Sequence, residues 1–245
     1  MVWLFEIFLI GHIVAGAFGL LVFWLPVLSR KGGRLHRRWG RYFTYSMLIT
    51  GTLAAGMGLT TLVEPMATHP HVDDPDIANP ATIRGLFGWM MVYLAILTVS
   101  LAWHAIETIR HKKTRARTAT PFAVGLQFVV MGLAANCAVQ GLLLGQPIMV
   151  GISAVGLASG PLNLYYMWRA APPAHSYLME HVRTGIGAGV SVYTAFLAFG
   201  AVRLMPSEAF NPVMWAVPTV LGISLILYHF RKIILASRTG RAAAV

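Results

Sequence analysis

The chain has 245 residues, 57 % of them hydrophobic and only 11 % charged, with a mean hydropathy of +0.66. Soluble domains carry about a quarter charged residues, so an ordinary soluble enzyme is excluded, and the length admits roughly seven membrane spans with no sizeable extramembrane domain. The net charge of +11 is gathered into short segments between apolar runs, where it reports topology rather than a nucleic-acid-binding face.

Apolar stretches predict helices at about 2–28, 40–64, 84–109, 119–142, 148–169, 181–204 and 212–233. The first lacks a cationic leader and a small-residue cleavage site, so it reads as a retained span. The basic segment Ser29–Arg41 follows, with Arg30, Lys31, Arg34, Arg37, Arg38 and Arg41. Such a cluster stays cytoplasmic. Every Lys and Arg except Arg84 and Arg203 then falls in 29–41, 110–118, 169–183 or 231–245, whereas Glu64, Asp73, Asp74, Asp76 and Glu208 fall on the opposite side. The expected fold is all-α: one polytopic transmembrane domain of seven helices, with the N-terminus outside and the C-terminus cytoplasmic.

Within the spans, Gly16, Gly19, Gly51, Gly56, Gly156, Gly160, Gly185, Gly187 and Gly189 favour close helix–helix approach. Gly160-Pro161 is expected to weaken or kink the fifth helix, and Pro206 marks a joint after the sixth. The segment 65–83 is the only extended stretch expected to be non-helical. A single cysteine, Cys137, excludes an internal disulfide and any Cys-rich metal site.

Nine histidines are many for so little charge, and ionisable groups inside a bilayer are candidates for function. At about 1.5 Å rise per residue, His12 falls near the bilayer midplane, with Gly16 and Gly19 continuing its face. A histidine beside glycines can bind haem iron while leaving room for the porphyrin. The favoured reading is that His12 hydrogen-bonds a polar group on another helix while the glycines pack; a haem ligand and a proton relay are the alternatives.

His36, His104, His111, His175, His181 and His229 fall toward the basic side. His104 and His181 are the stronger cofactor candidates because each begins or ends a span, and His36 and His229 are candidate metal ligands. Glu107, three residues after His104, is placed to orient it. The depth difference keeps one metal from using both His12 and this layer. No second midplane histidine exists to pair with His12, which argues against a two-haem cytochrome.

His69, His71, Asp73 and Asp74 form a weak transition-metal pattern that a solvated loop explains better. Glu6, Gln127, Asn136, Gln140 and Asn163 are the other polar groups within spans. Glu6 and Asn136 are candidates for a polar or proton relay, with Arg84 or Arg203 as possible partners for Glu6. All four lysines lie on the basic side, so a retinal Schiff base is excluded. HExxH, P-loop, GxSxG and di-iron hydroxylase patterns are absent.

Two stretches carry a family resemblance. GHIVAGAFGLLVFWLPVLSRKGGRLHRRWGRYF resembles the opening of a group of uncharacterised bacterial multi-pass proteins known only as a domain of unknown function. Their pattern is a first-helix His-x-x-x-Gly, here His12 and Gly16, followed by a basic His-Arg-x-x-Gly, here His36, Arg37 and Gly40. HSYLMEHVRTGIGAGVSVYTAFLAFG, with His181 and Thr194, is similar to their late-helix pattern. The resemblance covers about a quarter of the chain and implies a bacterial inner-membrane location but no reaction. The leading expectation is a membrane redox protein holding b-type haem through histidines and exchanging electrons with quinone or another membrane subunit. The alternatives are a non-catalytic accessory or assembly subunit and a small-solute or proton transporter.

Overall fold

The computed structural model describes all residues except 73, 74, 76, 201–211 and 239–245. Asp73, Asp74, Asp76, Arg203, Pro206 and Glu208, and the predicted end of the sixth helix beyond Gly200, lie outside the described residues. Among those described there is no strand. Seven helices are long and apolar enough to cross a membrane: α1 (Val2–Leu28), α2 (Arg34–Val63), α3 (Pro80–Arg110), α4 (Pro121–Leu143), α5 (Pro147–Trp168), α6 (Ser176–Gly200) and α7 (Val213–Arg238). The chain is an all-α integral membrane protein.

Several helices outrun their predicted limits. α2 starts at Arg34 rather than residue 40, and α6 at Ser176 rather than residue 181. Long cationic side chains keep their heads in water while their stems follow apolar surface, so charge need not end a helix. What remains of the basic hairpin is a turn around Gly32, whose φ of +68° suits a residue without Cβ. The 65–83 segment also holds helical turns at Pro65–Thr68 and Pro80–Ile83, each with proline at a first position, where a missing N–H costs nothing. Asn79 caps the second, its side chain accepting from Thr82 N–H at 2.9 Å. A π-helical turn, Arg84–Trp89, continues it into the rest of α3.

The chain divides into two compact units. The first comprises Met1–Ala15, Leu48–Ser100 and Ala119–Trp168, so it includes all of α4 and α5. Its glycines allow close packing: a Cβ on Gly51 would meet Ala95 O at 3.0 Å, and one on Gly58 would meet Gly88 O at 3.1 Å. Gln127, Ser100 and Asn163 form a fully buried polar knot. Gln127 Oε1 accepts from Asn163 Nδ2 at 2.8 Å and Ser100 Oγ at 3.1 Å, while Gln127 Nε2 donates to Ala123 O. Pairing these amides removes the cost of burying them unmatched.

Tyr93 reaches into the backbone of α5. Its hydroxyl donates to Ile152 O at 2.9 Å and accepts from Gly156 N–H at 2.8 Å, two groups that a regular helix would join to each other. Gly156 makes room, since a Cβ there would stand 2.7 Å from the Tyr93 oxygen and 2.9 Å from Ala134 Cβ. α5 continues through Pro161. Replacing Gly156 by Leu should cost about 1–3 kcal/mol by overpacking, whereas Tyr93→Phe should cost only about 1 kcal/mol, because it removes a hydroxyl without changing the packing. Thermal unfolding of the two variants in detergent checks that order.

The second unit comprises Gly16–Met47, Leu101–Thr118 and Arg169–Val245. Here Gly189 admits the Phe23 ring, whose nearest carbons would include contacts at 2.7 Å to a Cβ. Tyr193 accepts from Trp24 Nε1 at 2.6 Å and donates to Leu20 O at 2.8 Å, tying α6 to the break in α1 at Phe23. Gly185 has open space beside it, so it is not a packing glycine.

Candidate functional site

The second unit concentrates the charge chemistry. His104 near the end of α3 is 1 % exposed, and its Nε2 donates to Glu180 Oε1 of α6 at 3.0 Å. The same carboxylate receives Arg183 from the next turn of α6, through Nη2 and, at 3.3 Å, Nε. Three N–H donors therefore converge on Glu180, whose side chain is 11 % exposed. Thr184 and Thr108 return their hydroxyls to Glu180 O and His104 O, 2.8 and 2.7 Å away. Glu107, buried at 7 %, binds Arg110 at 3.0 Å and His111 at 3.4 Å.

A histidine pair belongs to the same unit. His181 Nδ1 donates to Ala105 O and His36 Nδ1 to Pro26 O, each at 3.0 Å. Carbonyl oxygens only accept, so both rings carry a proton on Nδ1, and each ring when neutral leaves Nε2 with a lone pair. A ligating histidine is oriented in this way. The two ring centroids are 6.3 Å apart, with planes at 74°. Lys31 donates to Pro26 O at 3.1 Å and to Val27 O. Burial, with a smaller contribution from the charge of Lys232, pushes its ammonium below the ordinary lysine range. His229 on α7 is 8 % exposed, edge-on to Tyr228, and within electrostatic reach of Lys31 and His36.

The expected residues are thus sorted differently from their order in sequence. His36 and His181 come together, and His104 spends Nε2 on Glu180. His12 belongs to the first unit, where its Nδ1 donates to Thr50 O of α2 at 3.1 Å. Gly16 is buried. Glu6 is exposed and forms no ion pair among the described residues, and Arg84 donates Nε to Leu62 O at 3.1 Å. Asn136 Nδ2 is buried without a hydrogen-bond partner among the described residues. Among the described residues no group of three or more His, Cys, Asp or Glu side chains is arranged to hold a metal ion. The metal role expected of His36 and His229 therefore has no such cage to act in.

Glu180 and Arg183 were visible in sequence as neighbours of His181, but their attachment to His104 was not. The signal was a Glu and an Arg three apart at a span's start, the spacing that pairs charges on one helix face.

The first unit has a separate aromatic cluster. His69 stacks on Phe87 with centroids 4.5 Å apart, meets Phe5 edge-on at 5.4 Å, and lies 5.9 Å from His71. Only 8 % of it is exposed, so this part of the expected solvated loop is packed. Thr68 Oγ1 lies 3.0 Å from its Nδ1. Burial first, then the neighbouring His71, lower its pKa from 6.5 to about 4. Between those values an opened form takes up a proton that the packed form refuses. The packed form is fully favoured above about pH 6.5 and loses that advantage as pH falls toward 4. Hydrogen exchange around Phe87 should therefore speed up from pH 7 to pH 5, after correction for intrinsic rates, and His69→Gln should flatten the change.

No protein-family model, curated protein or solved structure matches the chain.

Proposed function

We propose that the protein is a multi-pass membrane redox protein, inserted N-terminus outside and C-terminus cytoplasmic, that holds b-type haem between His36 and His181. The distribution of Lys and Arg supports the orientation, and a bacterial inner membrane is the location that goes with the family resemblance carried by His12, Gly16, His36, Arg37, Gly40 and His181. The observation that carries the haem reading is the pair itself: two imidazoles from different helices, each fixed through Nδ1 on a carbonyl. Their ring centroids are 6.3 Å apart, near enough that both could donate to one ion with metal–nitrogen bonds near 2 Å. A porphyrin supplies four of iron's ligands, so haem needs two protein donors where a protein-built cage needs three or more.

When bound, haem supplies one-electron chemistry. The chain's own residues then fix the ligand tautomers and place the Glu180–Arg183 pair and His104 beside the ligand helix. Quinone and a neighbouring subunit are the partners this reading calls for. Haem analysis of protein purified from haem-replete cells tests it. Stoichiometric haem b is the expected result, and correctly helical protein with only trace haem would overturn it and favour an accessory-subunit role.

A further inference from the structure

We propose that the start of α2 is a binding site for the phosphate headgroup of an anionic phospholipid. Arg38, Arg41, Tyr42 and Tyr45 line one groove enclosing about 200 Å³. Their spacing of three, four and seven residues from Arg38 puts all four on one face of the helix. That face points outward: both arginines are exposed, Tyr42 and Tyr45 are 42 % and 51 % exposed, and Ile49, one turn further, is 54 % exposed.

The arginines are available. Among the described residues neither forms a salt bridge. The Arg38 guanidinium sits 5.8 Å from the Tyr42 ring centroid, and Trp39 braces that ring edge-on at 5.5 Å. A guanidinium stacked on an aromatic ring keeps its N–H fork free to bind phosphate. Along this face the order is cation, tyrosine, aliphatic side chain. One bilayer leaflet has the same order of phosphate, interface and hydrocarbon. The occupant is therefore a lipid rather than a free anion. It is an anionic lipid because a zwitterionic headgroup would bring its own cation against the two guanidiniums. The site is independent of any haem.

The test uses full-length protein in nanodiscs of phosphatidylethanolamine and phosphatidylglycerol, with retained lipid read by native mass spectrometry. Wild type should keep phosphatidylglycerol preferentially. R38Q/R41Q should lose that preference several-fold, R41Q should lose part of it, and K112Q/K113Q, which removes two charges from the α3–α4 connection, should leave it unchanged. Added inorganic phosphate should not displace the lipid. Unchanged retention in R38Q/R41Q, an equal loss in K112Q/K113Q, or displacement by phosphate would overturn the proposal. R41Q supplies the answer if the double variant does not fold.

Discussion

His36→Ala and His181→Ala should each abolish the low-spin haem spectrum, while His12→Ala should leave it in place. Both members of the pair already have their Nδ1 proton placed by carbonyl acceptors, Pro26 O and Ala105 O, so removing either ring would take away one of the two protein donors that the proposed haem needs. His104, in the same unit, has its Nε2 engaged by Glu180. His12 lies in the other unit, bonded to Thr50 O, so its loss should affect packing of α1 on α2 rather than the spectrum. Exogenous imidazole should restore colour to the two alanine variants, separating a lost ligand from a lost fold. Loss of the spectrum in His12→Ala alone would move the site to α1.

Glu180→Ala should be the most destabilising single substitution in the second unit. It takes from Arg183, only 17 % exposed, the carboxylate that Glu180 supplies, and from His104 Nε2–H, almost fully buried, the Glu180 oxygen it donates to. Removing one partner of a buried ion pair typically costs about 3–5 kcal/mol. Removing both members removes the buried charge together with its counter-charge, so Glu180→Ala/Arg183→Ala should melt above Glu180→Ala alone. Melting temperatures of the single and double variants in one detergent check the sign of that coupling. A double variant less stable than the Glu180 variant would mean that Arg183 has another essential role.

The number and approximate position of the helices were legible because a spanning segment must be continuously apolar. Their ends are not: the sequence places Arg34, Arg37 and Arg38, and Glu180, outside the spans, yet charged side chains with long stems leave backbone helicity intact. The candidate histidines were legible as a set, but their pairing was not. His104 and Glu180 are 76 positions apart, as are His181 and Ala105, and neighbouring helices in a bundle cannot be read from the order of apolar runs. Tyr93 shows the same limit. It looks like one more aromatic residue in α3 until the hydroxyl is seen inside the α5 ladder. His69 was read with a loop because Pro, His and Asp surround it. Its stacking on Phe87 depends on a residue 18 positions away, beyond any local pattern.

The most direct measurement is the visible spectrum of detergent-purified wild-type protein, oxidised, then reduced with dithionite, then exposed to carbon monoxide. The account predicts a Soret band with sharp α and β bands on reduction, changed little by carbon monoxide, because the proposed haem would take a donor from each of His36 and His181. A colourless protein, or a reduced haem that binds carbon monoxide at once, would contradict ligation by the His36–His181 pair.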